Sequence, residues 1–457
     1  MLSQTHSLCP ECLKKIPAYY VKEGNSVFIV KHCDKHGKFQ TIFWRGKPDF
    51  ETWTRPKIPT QPLLCYSEIS QGCPFDCGLC SEHRQHTCTA LLEITMRCNL
   101  NCPVCFASAV SVAQPDPDFN LIRTWYERVI NAGGFCNIQL SGGEPTVRDD
   151  LPIIIETGRK MGFSFIQLNT NGIRLAAEKD YARRLKEAGL SSVFLQFDGT
   201  RDHIYLSLRG KPLFEAKQAA IEHCAESNIG VVLVPTLMPK VNMHNIGDMI
   251  RFGLKFAPAV RGIHFQPVSY FGRYPNPPSD EDRITLPEIM TAIEQQTEEM
   301  VRTEDFRPPG CENARCSFHG NFILMPDGSL KALTQFTHTA CQCGTSQNIE
   351  EKAEDGAIQA ITTVARQWAF PTISEKRCCD KTDDLDAFLT RAKQYGFAIS
   401  AMAFQDAWTL DIERLKDCCI HVVSPEGNLI PFCIYNLSSA GGKTLYRPQT
   451  CAYDVGN

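Results

Sequence analysis

Short apolar runs of strand length alternate with amphipathic patterns of helix length through the middle of the chain. The runs lie at Leu91–Met96, Asn137–Ser141, Ser164–Asn169, Ser192–Asp198, Gly230–Thr236 and Gly262–Val268. Between them, Asn120–Ala132, Asp150–Met161, Lys179–Ala188 and Phe214–Glu226 carry apolar residues at helical spacing, and several are followed by glycine. Strands alternating with helices predict βα units and a parallel sheet, with ligands gathered at the strand C-terminal ends. Six repeats fall short of a closed eight-stranded barrel. The predicted fold class is therefore α/β, a partial (β/α)6 TIM-type barrel.

The flanks follow other rules. Residues 1–60 combine Cys/His pairs with short β-like runs, and so short a segment builds little core unaided, which predicts a small metal-stapled module. Residues 61–88 form a cysteine-rich segment, 89–303 the barrel and 304–457 a C-terminal domain in which the alternation stops and cysteines return. Within that last domain, Phe322-Ile-Leu-Met-Pro-Asp-Gly-Ser-Leu and His421-Val-Val-Ser-Pro-Glu-Gly-Asn-Leu-Ile each place a Pro-acid-Gly turn between apolar runs and predict hairpins.

Composition narrows the function. Lys+Arg total 47 against Asp+Glu 51, a formal charge of −4 that gives no basic surplus for nucleic acid. No apolar run reaches the ~18 residues of a membrane span, and the N-terminus lacks the basic and apolar regions of a signal peptide. A cytoplasmic location is expected, with peripheral membrane association left open. In a reducing compartment, 23 clustered cysteines point to metal before disulfides.

The first predicted strand leads into Cys98-Asn-Leu-Asn-Cys102-Pro-Val-Cys105. Its i, i+4, i+7 spacing could describe a helix face, but Pro103 breaks a helix and favours a loop. Three thiolates in one loop suit a [4Fe–4S] cluster with one iron left open. The second strand ends in Gly142-Gly143-Glu144-Pro145, glycines that permit close backbone approach and a carboxylate able to accept from an ammonium group.

This triad, the Gly-Gly-Glu-Pro and the βα repeats together resemble the radical S-adenosylmethionine (SAM) superfamily over roughly residues 88–300. The resemblance implies that SAM chelates the open iron. It also implies that one electron from the reduced cluster cleaves SAM to a 5′-deoxyadenosyl radical, which abstracts hydrogen from an unactivated carbon. The electron donor would be a ferredoxin or flavodoxin. Asn169, Asn171, Gln196 and Asp198 fall where this superfamily holds SAM, together with Gly142, Gly143 and Glu144.

Three other metal sites are expected. Cys73-Pro-Phe-Asp-Cys77-Gly-Leu-Cys80 repeats the triad spacing without a following Gly-Gly-Glu. It reads as an auxiliary [4Fe–4S] site completed by Cys88, with Cys65 as the alternative. Cys9-Pro-Glu-Cys12 and Cys33-Asp-Lys-His36 form a mononuclear site for zinc or iron. The C-terminal cysteines resemble the auxiliary-cluster extensions of several radical SAM enzymes, which implies an auxiliary iron–sulfur cluster in 304–457 with Cys311, Cys316, Cys419 and Cys433 as ligands and Cys418, Cys341 and Cys343 as substitutes. About three [4Fe–4S] clusters would result. Cys136 and Cys224 read as packed core thiols.

The whole-chain layout resembles archaeal tetraether lipid synthases and their bacterial relatives, a group that includes dihydropterin methyltransferases. It implies C–C bond formation between lipid tails, with radical methylation of a pterin-like small molecule, or peptide maturation, as alternatives. A non-catalytic electron relay would need no Gly-Gly-Glu-Pro. For a lipid substrate, Phe265, Val268, Tyr270, Phe271 and Tyr274 are expected to wall an apolar channel.

Overall fold

In the computed structural model, which describes residues 1–57, 59–109, 115–336, 353–371 and 384–448, two sheets organise the chain. The first is an antiparallel meander of β1 (Ser3–Leu8), β2 (Lys15–Glu23), β3 (Ser26–Cys33) and β4 (Gly37–Arg45) in sequence order. Alternation along β3 buries Val27, Ile29, Lys31 and Cys33. The buried Lys31 ammonium is satisfied by Ser7 Oγ at 2.9 Å and the Ala407 carbonyl at 2.6 Å. Trp44, Phe50 and Trp53 join one apolar core with Leu92 and Ile94 of the barrel.

The barrel strands are β5 (Thr89–Thr95), β6 (Asn137–Gly142), β7 (Ile166–Thr170), β8 (Ser192–Gln196), β9 (Gly230–Val234), the short β10 (Thr236–Leu237) and β11 (Val260–Pro267). The six expected runs are all strands, and they pair in parallel in the order β5-β6-β7-β8-β9-β11. Helices at Phe119–Gly133, Leu151–Lys160, Lys179–Glu187 and Phe214–Glu226 match the expected helical stretches closely. Helix 119–133 starts at Asp118, whose carboxylate accepts from the Leu121 amide at 2.8 Å.

The C-terminal part extends this same sheet. Its strands are β12 (Ser317–Leu324), β13 (Leu330–Ala332), β14 (Gly396–Met402), β15 (Ile420–Val423) and β16 (Leu429–Pro431). Both expected hairpins form, as β12/β13 and β15/β16. Strand β14 adds parallel to β11, and β15 adds parallel to β5 at the opposite edge. The parallel array is thus wider than the six strands expected, because residues distant in sequence complete it at both ends. Helix Ala353–Trp368 packs near β9, β11 and β14. No helix among the described residues is long and apolar enough to cross a membrane.

Candidate active site and metal centres

The loop leaving β5 carries Cys98, Cys102 and Cys105. It is held by backbone pairing of Cys105 with Arg273, 2.9 Å in each direction, and by the Arg273 guanidinium, which donates to the Cys102 carbonyl at 2.9 Å. Burial is the main reason the Cys98 thiol is pushed up to about 12. Arg209 lies beside Cys102.

Gly142 and Gly143 are required by this loop. A Cβ on Gly142, which has φ +118°, would sit 2.1 Å from the Thr95 carbonyl oxygen; one on Gly143 would sit 2.2 Å from that of Arg97. The bare backbone lets Gly143 N donate to Thr95 O at 2.7 Å and Glu144 N to Arg97 O at 2.8 Å. Glu144 is buried. Its Oε1 accepts from the Thr146 amide and from the Thr146 and Thr170 hydroxyls, and its Oε2 from Asn171 N at 2.6 Å. One acceptor direction on Oε2 remains for a ligand donor. Asn171 then ties β7 to the cysteine loop by donating to Asn99 Oδ1 at 2.7 Å.

A cavity of about 940 Å3 runs from this triad along the barrel interior. Gly142, Gly143, Glu144, Asn169, Asn171 and Gln196 all line it, as expected. Asp198 does not. It lies fully buried behind the wall, its carboxylate taking both Arg209 Nε and Nη2 at 2.7 Å. The chain has left β8 at Gln196, two residues before the predicted end, so Asp198 serves Arg209, and Arg209 fronts the cavity. Lys217 is a further charge that the sequence did not signal: wholly buried, it donates to Gln196 Oε1 at 3.1 Å, and burial lowers it to about 8.

Deeper in the cavity the wall carries Phe194, His264 and Trp368. Ring centroids are 5.5 Å apart for Phe194–His264 and Phe194–Trp368, and 6.2 Å for His264–Trp368. The His264 Nδ1 meets Ser400 Oγ at 2.8 Å, and burial lowers its pKa to about 4, so the ring is neutral. Asn169 lies directly across from Phe194 in the strand register, and its Oδ1 is buried without a hydrogen-bond donor among the described residues. Of the apolar wall expected for a lipid, Val268 and Phe271 line the cavity, whereas Phe265 is fully buried core and Tyr270 and Tyr274 pack in a second apolar cluster.

The cysteines outside the triad follow their spacing in part. Cys9, Cys12, Cys33 and His36 come together as expected, with His36 Nδ1 3.5 Å from the sulfurs of Cys9 and Cys33, and Cys12 Sγ 4.0 Å from Cys33 Sγ. Amides of Lys35 and His36, with the His36 ring, hold the Cys33 thiol down to about 6. These donors suit a tetrahedral ion. Cys88, however, is paired sulfur to sulfur with Cys311, and Cys419 Sγ lies within 4.8 Å of both. This group, 223 residues apart in sequence, lines the same cavity as the triad. The expected C-terminal set therefore divides. Cys311 and Cys419 join Cys88, while Cys316 and Cys433 lie near Cys418, close enough for their charges to interact. Cys73, Cys77 and Cys80 surround a separate small cavity without Cys88, and Cys65 is exposed. Cys341 and Cys343 lie outside the described residues. Cys136 and Cys224 are buried thiols, as expected.

Comparison with known proteins agrees with this geometry. The radical SAM superfamily model matches residues 92–253, and a model described as the HMPTM N-terminal zinc ribbon domain matches residues 1–45. A 7,8-dihydro-6-hydroxymethylpterin dimethyltransferase of Methanocaldococcus jannaschii is 35% identical, over 98% of this chain and 95% of that protein. A probable GTP 3′,8-cyclase of Methanothermobacter marburgensis is 31% identical over 37% of this chain and 55% of its own length. The crystal structure of Streptococcus suis SuiB bound to S-adenosylmethionine aligns over 48% of each chain at 12% identity and a TM-score of 0.39. No relative among these supports the tetraether lipid branch. A triad loop locked onto paired glycines, and a near full-length match to a dimethyltransferase, lead to one assignment: the chain belongs to the radical SAM superfamily of enzymes, in the same family as that dimethyltransferase.

Proposed function

We propose that the chain is a radical SAM methyltransferase whose substrate is a pterin-like small molecule. The observation that carries this reading is the Phe194, His264 and Trp368 ring group beside the unpartnered Asn169 Oδ1, reached through the same cavity as Cys98, Cys102 and Cys105. A flat heterocycle stacks on such rings and offers N–H groups to such an oxygen. Its size also suits a compact cavity with a few polar anchors. The wall has apolar stretches, Val268, Phe271 and Phe432 among them, but Gln139, Asn169, Gln196, His264 and Gln266 also line it, polar anchors that a lipid tail would leave unpaired. The 35% identity to the pterin dimethyltransferase favours the same substrate class.

In this reading Cys98, Cys102 and Cys105 ligate three irons of a [4Fe–4S] cluster. With SAM bound, that group supplies the radical able to take hydrogen from an unactivated carbon. Glu144 Oε2 receives the SAM ammonium, and Asn171 keeps its strand and the cysteine loop in register. The groups Cys73, Cys77, Cys80 and Cys88, Cys311, Cys419 hold auxiliary clusters, for about three clusters in all, with one zinc or iron in the N-terminal module and a ferredoxin or flavodoxin as electron donor. Anaerobic, reconstituted protein with SAM, reductant and 6-hydroxymethyl-7,8-dihydropterin should form 5′-deoxyadenosine and a pterin heavier by one or two methyl groups. Trp368→Leu should cut the methylated product by about tenfold or more. An unaltered pterin, with hydrogen lost instead from an added lipid extract, would refute the proposal.

A further inference from the structure

Cys-x-x-His occurs four times, at Cys33-Asp-Lys-His36, Cys80-Ser-Glu-His83, Cys316-Ser-Phe-His319 and Cys418-Cys-Ile-His421, and the first two belong to the predicted metal sites that lie ahead of the barrel. The two segments fold alike. His36 N donates to the Cys33 carbonyl at 3.2 Å, and His83 N to that of Cys80 at 3.0 Å. In the first the amides of Lys35 and His36 point at Cys33 Sγ; in the second those of Glu82 and His83 point at Cys80 Sγ. Such a turn aims the sulfur and the imidazole of its two ends at one point, and His36 shows it: Nδ1 lies 3.5 Å from two sulfurs of its site.

His83 is only 5% exposed, and it lines the small cavity that Cys73, Cys77 and Cys80 share. Its Nε2 meets the Cys418 carbonyl at 2.7 Å. A carbonyl can only accept, so Nε2 carries the proton and Nδ1 keeps its lone pair. A backbone carbonyl on the far ring nitrogen is also the usual support of a metal-bound imidazole. Neither Cys65, which is exposed, nor Cys418, which lies near Cys316 and Cys433, lines this cavity. Cys88 is with Cys311, and Lys416, which also borders the cavity, pairs with Glu82 at 3.2 Å and Glu413 at 3.4 Å.

We propose that His83, through Nδ1, is the fourth ligand of the cluster held by Cys73, Cys77 and Cys80, giving a Cys3His [4Fe–4S] site. The proposal rests on the reading of that triad as a cluster site. A neutral imidazole in place of a thiolate removes one negative charge from the site and raises its reduction potential.

The test uses the full-length, anaerobically reconstituted protein with histidine-specific 15N labelling. Iron analysis comes first. Cys73→Ala/Cys77→Ala/Cys80→Ala should lose about four irons per chain, the content of one [4Fe–4S] cluster; unchanged iron would overturn the cluster reading and the ligand with it. Pulsed EPR of the dithionite-reduced wild type should then show a directly coupled nitrogen that changes from 14N to 15N with the label. His83→Cys, which restores four thiolates, should keep the iron and lose that coupling. A cluster-bearing wild type without histidine coupling, or coupling that survives in His83→Cys, would overturn the ligand assignment alone.

Discussion

Asp198→Asn tests the division between residues that serve the ligand and residues that serve the wall. Asp198 is fully buried, the Arg209 side chain is 9% exposed, and two 2.7 Å bonds from Nε and Nη2 join them side on. Asp198 Oδ1 also accepts from Thr236 N at 3.1 Å. An asparagine keeps the shape but removes the charge, and turns an NH2 toward either the guanidinium or that amide. The buried Arg209 is left uncompensated, which costs ~3–5 kcal/mol. For a chain of this size that is a fall of roughly 3–5 °C in melting temperature. Differential scanning calorimetry of the cluster-loaded protein, with SAM titrated into the same samples, reads both effects. Asp198→Leu/Arg209→Met should recover part of the loss, because an apolar pair leaves no charge stranded. A variant that melts within ~2 °C of wild type while losing SAM affinity about tenfold or more would refute this placement and return Asp198 to the SAM site.

Three further outcomes follow from the same geometry. Replacing Cys98, Cys102 and Cys105 with Ala should abolish 5′-deoxyadenosine formation, whereas Ala at Cys73, Cys77 and Cys80 should leave SAM cleavage measurable by chromatography but stop product formation. Gly143→Ala puts a methyl 2.2 Å from the Arg97 carbonyl, so it should displace the cysteine loop and weaken SAM binding in calorimetry by about tenfold or more. His264 is held neutral down to about pH 4, while an exposed histidine protonates near 6.5. Between those values the unfolded chain binds the extra proton, so stability rises with pH, by roughly 3 kcal/mol over that window from this group. Denaturant midpoints of His264→Asn should lose that slope.

Periodicity carried the barrel, because strand and helix alternation depends on neighbours a few residues apart. It carried the triad and the Gly-Gly-Glu-Pro for the same reason. Local spacing also grouped Cys9, Cys12, Cys33 and His36, but not the cysteines that different loops bring together. Cys88 sits eight residues after Cys80, yet its partner Cys311 is 223 residues away, and local spacing cannot report which loops a sheet brings together. Asp198 misled because a strand-end position predicts a direction only while the strand lasts, and β8 stops at Gln196. Phe194 and His264 sit within predicted strands, where nothing local sets them apart from their neighbours. Trp368 comes from a helix whose contact with the barrel no periodicity announces. Strand β14, Gly396–Met402, was missed because its partner β11 lies some 130 residues earlier, across a stretch without βα alternation.

The placement of β15 has a consequence for how the molecule is made. β5 pairs on one side with β6, some forty residues later, but on the other with β15 at residues 420–423. During synthesis the β5 edge therefore leaves the ribosome long before its second neighbour exists, as does that of β11, which waits for β14. Open strand edges template intermolecular pairing, and contacts so distant in sequence form late. Fragments ending near residue 303 should thus expose both edges and aggregate, and the nascent chain has reason to need a chaperone until its last strands are translated.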